Sequence, residues 1–242
     1  MPSLRKNRPL PSMFRLHSRD QFRQLRGFWS AYQDRFGARR AGRLMAQTLR
    51  RFILLRARIS ASRFAYGHGA DGAPMVGDAV AFAVAMYQTL TPVLGRSEAQ
   101  EFVCEQIVKA GRAMMASWVP ADRSLVSLGL KVREIMDEAA RLGVYEIEGM
   151  NADEAAIRWD ITACQYHELC CMLDAAELAT VFCAVDGPFV SSVLPDIPFS
   201  CETTLAAGQD RCRFRVGRAT STTDDPSTRS HPRNKKRPDS PR

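Results

Sequence analysis

Apolar residues recur every three or four positions through the first six-tenths of the chain and then, from about Val144, at every second position in short runs. That change of period predicts helices first and strands afterwards. The helical pattern begins at about Arg19, after a basic, proline-bearing segment over residues 1–18 that reads as an extension without regular structure. In LMAQTLRRFILLRARI, Leu44, Leu49, Ile53, Leu54 and Ala57 recur at helical steps with arginines between them. The spacing predicts an amphipathic basic helix with this stripe on the core and a solvated arginine face. Residues 78–94 are almost wholly apolar, with Phe82, Met86 and Leu90 four apart and Pro92 and Gly95 at the close. Ser97 and Glu98 open a further helix carrying Phe102, Ile107 and Met114, and Asp122 or Ser124 opens another that reaches Leu142 and stops at Gly143. Cys104 and the methionines Met86, Met114, Met115 and Met136 read as core filling.

Strand signals follow. VYEIEGM alternates, NADEA is a short connection, and IRWDIT places Ile157, Trp159 and Ile161 on one side against Arg158, Asp160 and Thr162, so a hairpin is predicted. The second strand delivers Cys164 to a helix from roughly Tyr166 to Leu173. Asp174 and Glu177 have the spacing of a capping box, predicting a second helix to about Val185 that Gly187 and Pro188 loosen or end. The last apolar stretch reads as two strands around a turn at Ala207 to Asp210, with Gly208 taking positive φ. Cys212, Phe214 and Val216 then point inward and Arg211, Arg213 and Arg215 outward. The fold class is therefore α+β: an N-terminal helical region, then a small antiparallel sheet of about four strands with an inserted helical pair, in one domain over residues 19–217.

Charge refines this picture. Residues 1–60 hold fifteen Lys or Arg against two acids, and residues 218–242 hold seven against three, so the overall +8 leaves a central body near −9. The basic character belongs to the ends. The tail after Gly217 has almost no apolar residues and reads as disordered, with His231 and the NKKR cluster solvated. The basic helix offers a surface for an acidic partner or for self-association, and also for nucleic acid or an anionic membrane, but no nucleic-acid motif accompanies it. The start lacks the apolar core of a secretory signal; its Arg-rich, acid-poor character is also that of a transit peptide, against the reading as a bacterial basic extension. No uninterrupted apolar run of membrane-spanning length is expected. The glycine-rich break from Gly67 to Asp78 lacks the lysine and spacing of a phosphate loop and reads as a flexible connection in which His68 is solvated. Seven cysteines, an odd number in a chain large enough for its own core, point to a reducing, cytoplasmic setting.

Three of those cysteines and the punctuation around them form a pattern: TACQY, then CAVD, then TLAAGQDRCRF. Thr162, Cys164, Tyr166, Cys183, Asp186, Thr204, Gly208, Cys212 and Phe214 stand in an order and spacing that closely resemble the bacterial L-2-amino-thiazoline-4-carboxylic acid hydrolase family. Two positions depart from that pattern, Cys201 where it has an arginine suited to a substrate carboxylate, and Arg213 where it prefers an acid. The substrate is thereby less constrained than the fold.

The resemblance implies a hydrolase of cysteine metabolism, of the class acting on carbon–nitrogen bonds in cyclic amidines or amides. C2 of an aminothiazoline ring takes up the elements of water, the ring sulfur leaves as a thiol, and an N-carbamoyl-cysteine type product results. Cys164, at a helix N-terminus that lowers a thiol pKa, is the first candidate nucleophile. Asp186 and Cys183 complete the catalytic set, Asp186 by proton transfer or by holding the amidinium. Tyr166, His167, Thr204 and Cys212 are candidates for binding the small-molecule substrate, and Gly208 and Phe214 for shaping the backbone and packing. No cofactor is required by this reading. Two others stand beside it: Cys164, Cys183, Cys212 and His167 as four ligands of zinc (manganese being the other metal considered), although no paired CxxC spacing is present, and a pocket of the vinyl-reductase type that binds a small molecule without turning it over.

Overall fold

The structure, a computed structural model, describes residues 13–62, 73–116, 122 and 124–217. Residues 1–12, the stretch 63–72 with His68, and the tail with His231 lie outside the described residues.

Five helices come first: α1 (Met13–Phe36), α2 (Ala38–Ser60), α3 (Ala73–Leu94), α4 (Arg96–Met115) and α5 (Leu125–Arg141). Helix α1 starts at Met13, earlier than the periodicity suggests, and the first half-dozen residues of α3 fall in the expected glycine-rich connection. Gly37 at φ 72° separates α1 from α2, which pack together and share a bond of 3.0 Å between the Tyr32 and Thr48 hydroxyls. Ser124 caps α5, its hydroxyl accepting from the Ser127 N–H at 3.1 Å.

The stripe expected on α2 is out of phase with the one buried. Ala41, Leu44, Met45, Thr48 and Ile59 face the core, while Leu49, Ile53 and Leu54 remain exposed. The covered side, which packs on α1 and α3, is an unbroken helical stripe once the half-buried Phe52 and Leu55 are added, and the expected set shares only Leu44 with it.

The second half is a four-stranded antiparallel sheet in the order β1-β2-β4-β3, built from β1 (Tyr145–Ala152), β2 (Ala156–Cys164), β3 (Phe199–Cys201) and β4 (Cys212–Gly217). The β1–β2 turn is held by Asp153, whose carboxylate accepts from the N–H groups of Ala155 and Ala156 at 2.8 Å each. In the central pair Ile157 faces Val216, Trp159 faces Phe214 and Ile161 faces Cys212, so the two predicted inward faces coincide. The opposite face is charged, with Arg211 bridging Asp160 and Glu148.

Between β2 and β3 the chain forms three short helices, α6 (Gln165–Met172), α7 (Ala179–Cys183) and α8 (Asp186–Val193), with a 3-10 turn at Ala176–Leu178. The expected capping box does not form. Asp174 takes a left-handed φ of 57° that ends α6, and the Glu177 carboxylate accepts instead from the Tyr87 hydroxyl at 2.8 Å and from Arg96 at 2.6 Å. Nor do Gly187 and Pro188 end a helix; they lie in the first turn of α8, where proline's missing N–H has no partner to lose. Ala176–Val193 has the length and apolar composition of a membrane-crossing helix, but it is broken into these pieces and contributes Leu178, Val181, Phe189 and Val193 to the interior.

Buried side chains fall into two clusters. One joins α1–α4 to α6 and α7; the other joins the sheet to α5 and α8. A cavity of about 520 Å³ lies between them, lined from both.

Candidate active site

The inward face of the sheet, the end of β2 and the α7–α8 corner meet at this cavity. Cys164, Tyr166, His167, Cys183, Asp186 and Cys212 all line it. Phe214 lines it too and stacks on Trp159, their ring centroids 5.2 Å apart and planes within 12°. Thr204 does not. Its hydroxyl accepts from the Ala207 N–H at 3.1 Å and so caps the 3-10 turn Leu205–Ala207, which Gly208 ends at φ 80°. Thr162 bonds the Glu146 carbonyl at the sheet's outer side.

Each thiol has a different electrical setting. Cys164 is the last residue of β2 and the N-cap of α6. Burial pushes its pKa up to about 11, against the opposing pull of the Tyr166 and His167 N–H groups. The helix terminus thus acts in the expected direction and is outweighed. Cys212 is held differently: its sulfur accepts from the Leu205 N–H at 3.2 Å and lies beside the Cys183 thiol, whose own S–H is directed to the Ala179 carbonyl at 3.8 Å. The neighbouring Cys183 thiol and the Leu205 N–H lower the Cys212 pKa, while the proximity of Cys212 and burial raise that of Cys183. Cys201 sits at the end of β3 with its thiol directed to the Thr203 carbonyl at 3.4 Å and its pKa pushed up to about 11 by burial.

Asp186, the first residue of α8, has its pKa raised to about 7 by burial and then by the charge of Cys212. Both causes favour the neutral acid, and proximity to neutrality suits a group that gives and takes a proton. Tyr145 and Tyr166 stack at 6.2 Å, and burial raises both phenols. Tyr145 is a member of the site that spacing alone does not disclose, because it enters from β1, paired in register with Cys164.

The four-ligand set considered from sequence is not assembled: among the described residues no three His, Cys, Asp or Glu converge to hold a metal, and His167 Nε2 meets Cys171 Sγ at 3.5 Å. The methionines Met114, Met115 and Met136, expected as core filling, line the cavity. Gly111 of α4 lets this wall close on α7–α8, since a Cβ there would stand 2.5 Å from Val185 Cγ1.

No curated protein and no solved structure shows significant similarity to the chain. The sequence model of the L-2-amino-thiazoline-4-carboxylic acid hydrolase family, however, matches residues 76–216, a span that takes in α3 to β4 and every cysteine of the cavity. The match covers more than half of the 242 residues, and the chain belongs to the L-2-amino-thiazoline-4-carboxylic acid hydrolase family.

Proposed function

We propose that this protein hydrolyses a cyclic amidine of the 2-amino-thiazoline type, with Cys212 as nucleophile and Asp186 as proton carrier. The observation that carries the reading is the Cys212 sulfur held by a backbone N–H, next to the Cys183 thiol and to a carboxyl group of near-neutral pKa. Family membership supports the hydrolytic class. Of the three cavity thiols, Cys212 is the one whose surroundings favour the thiolate, so it is preferred to Cys164.

The Cys212 thiolate attacks C2 of the protonated amidine to give a neutral tetrahedral adduct. A nitrogen lone pair then expels the ring sulfur, which takes the Asp186 proton and leaves as a thiol, and an isothiouronium remains on Cys212. Asp186, now ionised, takes a proton from water as its oxygen bonds to the same carbon. Collapse of this second adduct returns the Cys212 thiolate, and the product loses one proton to become a urea. The net change is addition of one water to the ring and release of one proton. Cys183, beside Cys212, stabilises the departing and returning thiolate, and Tyr145 and Tyr166 stack around the ring. All seven cysteines are free thiols, which supports placing this chemistry in a reducing compartment such as the cytoplasm.

The test is incubation of the metal-stripped protein with L-2-amino-thiazoline-4-carboxylate and related cyclic amidines, following free thiol, with Cys212→Ser and Cys164→Ser alongside. Turnover lost in Cys212→Ser and retained in part by Cys164→Ser is expected, together with an isothiouronium adduct on Cys212 by mass spectrometry. Loss confined to Cys164→Ser would reassign the nucleophile. Turnover that returns only with added zinc or manganese would replace the thiolate mechanism by a metal-dependent one. The apolar character of most of the cavity wall favours the rival, a binder without turnover; saturable binding with no product for any amidine would establish it.

A further inference from the structure

The walls of the cavity do not match a small amino-acid-like molecule. Four of its titratable groups gather at the sheet end, where Cys164, Cys183, Asp186 and Cys212 act on one another's ionisation. Away from them the lining is mostly hydrocarbon, with Phe28 from α1, Phe52 from α2, Phe82 from α3, Ile107 and Met114 from α4 and Ala139 from α5; Arg56, Asp78 and Glu138 are its charged members. Leu25 and Leu49 line the cavity and are also about 40% exposed, so it opens to solvent between α1 and α2 past apolar side chains. The Lys and Arg content of the lining is also informative. Among the described residues it consists of Arg56, and this guanidinium is taken up by Asp78 at 2.8 Å. A free carboxylate on the substrate would meet no unpaired guanidinium or ammonium there, and it would lie near the acidic and thiol groups.

We infer that the ring this site opens carries an apolar substituent, alkyl or aryl, in place of a free carboxylate, and that the substituent lies along the α1–α5 wall. The identity of the ring rests on the hydrolase reading above; the substituent is carried by the walls. Apolar surface removed from water on binding is the source of affinity, and the volume is in the range that encloses a ligand well beyond the bare ring.

The experiment is calorimetric titration of the full chain with four 2-amino-thiazolines bearing hydrogen, carboxylate, n-butyl or phenyl at C4, with thiol release followed in parallel. The n-butyl and phenyl compounds are expected to bind at least about tenfold more tightly than the unsubstituted ring, and the carboxylate more weakly than either. Ala139→Phe, which fills the apolar part, is expected to abolish that gain while leaving the unsubstituted ring unchanged. Should that variant fail to fold, the series on the native chain decides alone. A carboxylate bound as tightly as the phenyl compound, a gradient below tenfold, or no binding by any member would overturn the inference. Graded binding without thiol release would sustain it and would remove the hydrolytic reading instead.

Discussion

At the residue scale, Asp186 and Cys212 make the sharpest claims. Asp186 titrates near 7 in the fold and near 4 in an unfolded chain, so the native state favours its neutral form. The stability this confers is full below about pH 4 and is lost as the pH rises through about 7. Asp186→Asn, which keeps the neutral shape, should therefore raise the unfolding free energy at pH 8 by roughly 1–3 kcal/mol and change it little at pH 4. Urea titrations at the two pH values would measure this, and equal effects at both would show that the carboxyl is not held neutral. The proposed mechanism also needs Asp186 protonated at the outset, so kcat/KM should fall above about pH 7. Gly217 makes a separate structural claim. At φ 136° its position would place a Cβ 2.5 Å from the Ala155 carbonyl oxygen, and Gly217→Ala should cost roughly 2–4 kcal/mol in a thermal or denaturant melt. The cysteines of the site are visible in the sequence as a spaced set, but their ranking is not. Position at a helix start singles out Cys164, whereas burial of Cys164 and the Leu205 N–H and Cys183 thiol beside Cys212 reverse the order, and neither is written in the spacing.

At the scale of elements, the short turn Leu205–Ala207 links two things that look unrelated in sequence. Thr204 caps it, and its first N–H holds the Cys212 sulfur. Thr204→Ala should cost about 1 kcal/mol as a lost cap and should also raise the Cys212 pKa as the Leu205 N–H loosens. The acid limb of the pH–rate profile would then move to higher pH, while Thr204→Ser would restore it; a stability loss with an unmoved limb would confine Thr204 to scaffolding. The strands are the most legible elements, because a period of two over Ile157 to Ile161 and Cys212 to Val216 leaves one inward face and one register. Helix α8 is less so. Gly187 and Pro188 look like a stop, and only the break at Ala184 and Val185 puts them in a first turn. The buried stripe of α2, from Ala41 through Leu44, Met45 and Thr48 to Ile59, keeps helical spacing, but the exposed Leu49, Ile53 and Leu54 beside it compete with it in the sequence.

At the scale of the whole molecule, the sequence divides the chain into a helical and a sheet half, but it does not reveal that the halves keep separate apolar clusters with the site between them. Contacts across that seam join residues more than a hundred positions apart, such as Phe28 and Phe214 on one lining, and no local period encodes them. Two clusters joined through α6–α8 imply two cooperative units in native-state amide exchange. In the free protein, amides of α2 to α4 and those of β2 and β4 should exchange with distinct opening energies. A ligand that touches both walls is then the element that couples them. It should slow exchange in the helical and sheet units together, and the two opening energies should converge as it saturates. Recognition in this molecule would accordingly be read out as a gain in cooperativity, with the bound molecule serving as part of its interior.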